Sequence, residues 1–289
     1  MSSYTLGFLG AGHLNQALIS GLLQQKSETP THQQSALPQI IATCKSPENA
    51  DKVSSHYKIK CTTNNRWLIE QADFIVLGVK PQQMKEVLEM LGEYDLGDKI
   101  LISVAAGITL EQYRLILDDD VRLIRAMPNI AASKQAALTG IYSDIELSEE
   151  EMERIEALFG AVGGVEWLED ETQLDGILAL SGSGIGFVFR MMQAMAKAGE
   201  RYGFEEDALY DIIAQTVFGA GVLALENEQE TPRFQDFIRQ IARKGGTTEA
   251  GLSALDTQID RLMEEAFGAT VARNQALGEE LTRDWGTRS

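Results

Sequence analysis

Short apolar runs at residues 5–9, 39–44, 59–62, 74–79, 100–104 and 122–126 read as strands, and amphipathic stretches lie between several of them. After about Glu169 this alternation stops, and every later segment carries helical periodicity. That change of pattern constrains the fold more than anything else in the chain. Strands that are apolar along their whole length, alternating with helices, require a mostly parallel sheet covered on both faces. A purely helical remainder requires a second, different core. The expectation is an α/β domain over residues 1–168 and an all-α domain over residues 169–289.

Within the first part, residues 14–23, 82–91 and 110–117 read as helices. Residues 138–142 and 165–168 could add edge strands, with a helix at 149–159 between them. The helical part divides into 175–202, 205–226, 232–243, 248–255 and 259–282. Residues 28–39 are polar, carry Pro30 and Pro38, and read as an extended surface loop.

Composition removes several classes of function. With 289 residues, 44% of them hydrophobic, the chain can bury a sizeable core. A formal net charge of −18 argues against a nucleic-acid partner, since nothing would neutralise phosphates. The acidic segments 146–156 and 200–207 read as solvated helix faces rather than metal ligands. Cys44 and Cys61 are too few for a disulfide framework. No basic leader opens the chain, and no apolar run is expected to reach the roughly 18 residues of a membrane span. A soluble, cytoplasmic protein is expected, with no membrane partner.

Gly10-Ala11-Gly12 follows an apolar strand and opens a helix. Glycines there permit a tight turn and close backbone approach, and a helix N-terminus offers N–H groups to a pyrophosphate. The third glycine of the usual dinucleotide turn is absent: Asn15 takes its place, with Ala17 two residues on. A strand–helix turn that only needs small residues would give the same pattern. At the end of the second strand stands Thr43-Cys44-Lys45-Ser46, where an NAD site usually has an acidic residue. A lysine flanked by hydroxyls suits a 2′-phosphate, so NADPH is favoured, with NADH possible. Gly78-Val79-Lys80-Pro81, Ser103 to Gly107 and Met127-Pro128-Asn129 end three further strands on the carboxyl edge of the sheet, where open α/β sheets bind ligands. Each alone could be a plain turn, but three together on one edge favour a ligand site.

Two glycine clusters interrupt the helical part. Ser181-Gly182-Ser183-Gly184 marks a helix start or a place of close packing, because glycine inside a helix costs roughly 1 kcal/mol against alanine. In Gly245-Gly246-Thr247-Thr248 the two glycines free the backbone and the threonines are expected to cap the next helix, whose N–H groups suit a carboxylate. An ordinary capped turn has the same sequence.

GFLGAGHLNQAL, GVKPQ, SVAAGI, RAMPN, ALSGSG and GGTTEAGL stand in the order found in pyrroline-5-carboxylate reductases. The chain resembles that family from Gly7 to about Leu281, most specifically in the last two motifs. The resemblance implies a Rossmann-type N-terminal domain and a helical domain through which two chains interlock as a homodimer. Such dimers often form higher oligomers. It implies reduction of the C=N bond of 1-pyrroline-5-carboxylate to proline with NAD(P)H. By position, Gly10, Gly12, His13 and Leu14 would line the phosphate turn, and Lys45 and Ser46 would meet the 2′-phosphate. Val79, Lys80 and Pro81 would meet the nicotinamide ribose region, and Ala105, Ala106, Met127 and Pro128 would flank the nicotinamide. Gly246, Thr247 and Thr248 match the loop that binds the substrate carboxylate, contributed by the partner subunit in the family's dimer, and Thr248 matches the threonine placed near the imine nitrogen.

Such chemistry needs orientation of an already electrophilic C=N carbon rather than a metal. His13, His32 and His56 form no ligand cluster, and no catalytic histidine is assigned. The chain also departs from the family. Ile185-Gly186-Phe187 replaces Pro-Ala-Tyr after SGSG, Arg243-Lys244 replaces Ser-Pro before the glycine pair, and Asn129-Ile130-Ala131 replaces Asn-Thr-Pro. These changes leave open a related carboxylated cyclic imine as substrate, or a non-catalytic NADPH-binding paralogue.

Overall fold

The computed structural model describes residues 4–28, 38–225 and 234–286. The expected loop at 28–39, with His32 in it, falls almost wholly outside the described residues, as does the start of the expected 232–243 helix. The chain forms two compact units. One runs to Gly182 and takes in the chain from Thr270 onward; the other is Ser183–Ala269.

The first unit is built on eight strands: β1 (Thr5–Leu9), β2 (Gln39–Thr43), β3 (Lys60–Thr62), β4 (Phe74–Leu77), β5 (Ile100–Ser103), β6 (Arg122–Met127), β7 (Ala137–Tyr142) and β8 (Gly163–Trp167). Their order is β3-β2-β1-β4-β5-β6-β7-β8, and every pairing is parallel except β6 with β7. Strand periodicity sorts the core. Leu6 and Phe8, Ile40 and Ala42, Phe74 and Val76, Ile100 and Ile102 face one cluster. Leu9, Ile41, Ile75, Leu77 and Leu101 face the other. Both faces are thus apolar, which is why these strands read as continuous runs.

Helices α1 (His13–Glu28), α2 (Pro47–Tyr57) and α6 (Glu149–Gly160) cover the first face. Helices α3 (Asn65–Gln71), α4 (Met84–Leu91) and α5 (Leu110–Tyr113) cover the second, with Trp285 lodged against Tyr113. Side-chain caps start several of them: Ser46 for α2, Asn64 for α3, and capping boxes Thr109/Gln112 for α5 and Ser148/Glu151 for α6. Helices α2 and α3 were not expected, because α2 buries only Ala50 and Val53 and α3 only Leu68 and Ile69. The expected helix at 110–117 shrinks to four residues, and the strand expected at 74–79 ends at Leu77, where Gly78 leaves the sheet.

The segment expected as one helix over 175–202 is broken. It comprises α7 (Gln173–Ile177), a π-helical turn (Leu178–Gly182), α8 (Gly184–Gly199) and a 3₁₀ turn (Glu200–Tyr202). The second unit holds α8, α9 (Glu206–Leu225), α10 (Phe234–Ile241), α11 (Thr247–Leu255) and the first part of α12 (Ile259–Thr282). The strands end at Trp167, beside the expected boundary at 168, whereas the compact units divide after Gly182 and again inside α12. The C-terminal part of α12 belongs to the first unit. There Gly278 lies against Gly107, Asn274 donates to Asp175 at 2.7 Å, and Thr282 accepts from Gln112 at 2.8 Å.

One expectation needs correcting. Gln173–Tyr202 and Glu206–Leu225 are long and apolar enough, by length and composition, to cross a membrane. The glycines and serines that interrupt these stretches conceal how few charges they carry. Within the chain α9 buries only Leu209 and Ile213, leaving Tyr210, Ile212, Phe218, Leu223 and Leu225 exposed. A recess of about 830 Å³ between α8 and α9 is lined by Phe189, Met192, Leu209 and Ile213 together with charged residues such as Arg190, Lys197 and Glu206.

Candidate active site

Strands β1, β4, β5 and β6 run parallel, so their carboxyl ends share one edge of the sheet. β1 pairs with β2 on one side and β4 on the other, which makes it the point where the strand order reverses. Ligands in open α/β sheets bind at that crevice. Here the turn 10–12 leaves β1, Gly78 begins the loop after β4, and Gly78 N donates to Leu9 O at 3.0 Å. Gly10 has φ +89°, a conformation that favours glycine. A Cβ on Gly10 would stand 2.9 Å from Val79 Cγ1, so the glycine is also needed for space.

The turn delivers the chain into α1 with Gln16 N already bonded to Gly12 O at 2.8 Å. The N–H groups of the first turn, His13 and Leu14 among them, have no acceptor within a helix. An exposed Gly12 and His13 flank them. This is a fitting cradle for a dinucleotide pyrophosphate. At the end of β2, Lys45 is exposed, whereas Ser46 Oγ already accepts from Asn49 N at 3.4 Å as the α2 cap. Lys80 is exposed at the start of a 3₁₀ turn (Pro81–Gln83), and Val79 packs partly on the core.

The ends of β5 and β6 come together as expected. Ala106 and the buried Met127 share an apolar cluster with Leu174, Ile177 and Leu178, and Ala105 and Pro128 are buried beside them in sequence. Gly107, however, is small for a different reason. At φ +84°, a Cβ there would stand 3.1 Å from Asn274 O and 3.2 Å from Gly278 N, so α12 makes the close approach.

The sequence motifs contain Asn129, Ser181 and Ser103 but give no sign of the polar contacts that tie this edge together. Asn129 Nδ2 donates to Ser181 Oγ at 2.8 Å in buried surroundings, and Ser181 Oγ donates to Leu138 O at 3.3 Å where the pair is partly buried. The MPN and SGSG motifs, fifty-two residues apart, therefore meet through one hydrogen bond. Arg125, 3% exposed, pairs with Glu171 at 2.7 Å, and the same carboxylate oxygen accepts from Leu110 N at 2.7 Å. Ser103 Oγ and Tyr113 OH lie 2.5 Å apart, and burial pushes the Tyr113 phenol up to about 12. Tyr113 is thus a neutral structural anchor at neutral pH.

The glycine pair of the second unit forms the expected turn. Gly245 has φ +76°, Gly246 N donates to Arg243 O at 2.8 Å, and Gly245 N donates to Glu249 Oε2 at 2.6 Å. The expected threonine cap is not formed: Gly246 is the N-cap of α11, no side chain caps it, and Thr247 and Thr248 are already helical, so the open donors belong to the first turn beginning with them. Thr247, Thr248, Arg243 and Lys244 are all exposed. A Cβ on Gly186 would meet nothing within 4 Å, so no packing inside the chain requires glycine there. Among the described residues, no group of three or more His, Cys, Asp or Glu side chains is gathered as for a metal.

A glycine turn at the switch point of a doubly wound sheet, in a chain that also carries a helical unit, defines a class of nucleotide-dependent α/β proteins to which nicotinamide-dependent oxidoreductases belong. Comparison with known proteins narrows the class. Residues 171–277 match the family model for pyrroline-5-carboxylate reductase dimerisation. Residues 5–107 match the model described as NADP oxidoreductase, coenzyme F420-dependent. A pyrroline-5-carboxylate reductase of Pseudomonas aeruginosa is 32% identical over 282 residues, covering 97% of this chain and 99% of that protein. One of Haemophilus influenzae is 31% identical, covering 96% and 98%. The solved pyrroline-5-carboxylate reductase of Coxiella burnetii has a TM-score of 0.83 at 30% identity, covering 95% of this chain and 98% of that one. The Plasmodium falciparum enzyme solved with NADP bound shares the fold, with a TM-score of 0.80 at 21% identity over 95% of this chain and 98% of that one. The chain belongs to the pyrroline-5-carboxylate reductase family. The expected fold class and an NADP-type cofactor both hold.

Proposed function

We propose that this chain reduces the C=N bond of 1-pyrroline-5-carboxylate to give L-proline, using NADPH. The observation that carries this reading is the Gly245–Thr248 turn, which presents the first turn of α11 inside the region matched by the dimerisation model. Bound NADPH supplies the hydride. Gly10, Gly12, His13 and Leu14 hold its pyrophosphate, Lys45 and Ser46 its 2′-phosphate, and Val79, Lys80 and Pro81 its nicotinamide ribose. Ala105, Ala106, Met127 and Pro128, apolar residues at the ends of β5 and β6, would flank the nicotinamide.

The substrate carboxylate is held by N–H groups at the start of α11, supported by the positive end of the helix dipole. Gly246 contributes the turn, while its own N–H is committed to Arg243 O. Thr247 and Thr248 supply the donors, and the Thr248 hydroxyl meets the imine nitrogen. Orientation of the C=N carbon against the cofactor then provides the catalysis. The exposed apolar residues of α8 and α9 are covered by a second copy of the chain, giving a homodimer in which each active site draws its 245–248 turn from the partner; higher oligomers are compatible with this. The cell compartment is the cytoplasm. Residues 1–168 serve the nucleotide and 169–289 the substrate and the dimer.

A second reading, a different carboxylated cyclic imine, is favoured by one observation: Arg243 and Lys244 stand exposed beside the turn, where they would welcome an additional acidic group. An NADPH and NADH oxidation assay over five- and six-membered carboxylated imines separates the readings. The highest kcat/KM is expected for 1-pyrroline-5-carboxylate with NADPH. Binding of NADPH without turnover of any imine would leave only a nucleotide-binding paralogue.

A further inference from the structure

The residue standing where the dinucleotide turn usually has its third glycine is Asn15, and it is 1% exposed. Its Nδ2 donates to Gly10 O at 2.9 Å. Its Oδ1 is buried and has no hydrogen-bond donor among the described residues. Turning the amide over would set Oδ1 against the Gly10 carbonyl oxygen, so the bond to Gly10 selects the orientation. An unpaired buried acceptor costs stability, and glycine or alanine at this position would leave none. The unpaired Oδ1 therefore sets a cost against whatever the rest of this side chain contributes.

Its contacts show what else it does. The amide lies over Gly78, where an added Cβ would overlap the Asn15 carboxamide. Gly10 faces the same point from the turn, since its own Cβ would stand 3.2 Å from Gly78 C and O. The room that a third glycine normally leaves on the helix has been moved to the strand end at Gly78. A carboxamide now props the phosphate turn and the start of the 78–81 loop at a set distance.

We propose that Asn15 is a positioning residue for the cofactor. It holds the Gly10 carbonyl inward, so that the first N–H groups of α1 face the pyrophosphate, and it fixes the spacing between the turn and the loop at Val79 and Lys80. This rests on the reading of residues 10–14 and 79–81 as cofactor-binding.

The test uses the full-length protein, with NADPH affinity read from nicotinamide fluorescence and steady-state kinetics on 1-pyrroline-5-carboxylate. Asn15→Gly, which restores the glycine of the usual turn, is expected to raise the NADPH Kd about tenfold. KM for the imine and kcat at saturating NADPH should stay within about twofold. Asn15→Asp should weaken NADPH further, because it sets a carboxylate against the Gly10 carbonyl and adds a negative charge beside the pyrophosphate. Gly78→Ala should also weaken NADPH, and combining it with Asn15→Gly should recover part of that loss. Asn15→Gly binding NADPH like the wild type overturns the proposal, as does strict additivity in the double variant. A fall in melting temperature with unchanged NADPH affinity would make Asn15 merely structural, which also overturns it. Failure of the wild type itself to bind NADPH would instead strike the reading of the whole turn, and the positioning role with it.

Discussion

Gly278 and Gly107 show at the scale of single residues how a motif can serve packing rather than ligand. A Cβ on Gly278 would overlap the Gly107 carbonyl, and both positions are buried. Gly278→Ala is expected to destabilise the chain by about 1–3 kcal/mol through overpacking, read as a lower midpoint in thermal or denaturant unfolding. An unchanged midpoint would mean that α12 is free to shift. Thr248, by contrast, is exposed, and its part in binding substrate is the one proposed above. Thr248→Ala should leave stability within about 0.5 kcal/mol, as surface changes do. It should lower kcat/KM for the imine roughly tenfold to a hundredfold, the range of a lost hydrogen bond to a charged group. Wild-type kinetics in that variant would remove Thr248 from the chemistry. The residue scale was partly legible. Gly10 and Gly12 announced a turn through their spacing, but Asn129 with Ser181 could not be paired, because periodicity reports the face of an element and not its distant contacts.

The link between β6 and α6 offers a prediction at the scale of elements. Arg122 at the start of β6 pairs with Glu151 through both carboxylate oxygens, and Glu151 also accepts from Ser148 N at 2.8 Å in the capping box. The Arg122 guanidinium, helped by the Ser148 N–H and hydroxyl, lowers the Glu151 carboxyl to about 2. A carboxyl depressed on folding stabilises above its unfolded value of 4.5 and loses that contribution as pH falls through about 2. Glu151→Gln should therefore cost on the order of 1 kcal/mol at neutral pH. Its deficit against the wild type should fade between pH 4.5 and about 2. Parallel pH-dependent denaturation curves for the two proteins would refute this. Elements themselves were legible where their apolar pattern was strong, as in β1, β4 and α12. They were missed where only two side chains are buried, as in α2, or where a π-helical turn interrupts a continuous helical pattern at Leu178–Gly182.

For the whole molecule, the exposed apolar face of α9 is the feature with the largest consequence. Phe218 and Leu223 are 65% and 63% exposed within one chain. Large apolar side chains left exposed in this number are what an interface would cover. Phe218→Glu should shift the protein from dimer to monomer in light scattering and abolish imine turnover, while NADPH binding stays within about threefold. Turnover by a monomer would exclude a site completed by two subunits. The sequence by itself determined the mostly parallel sheet covered on both faces, the glycine turn after β1 and the helical second unit, because these follow from periods of two and 3.6 residues and from short turn motifs. Only the tertiary structure decided that Gly107 receives α12, that Asn129 meets Ser181, that Asn15 props Gly78, and that the chain from Thr270 returns to the first unit. Those outcomes depend on which surfaces fit at close range, and local periodicity carries no information about such contacts.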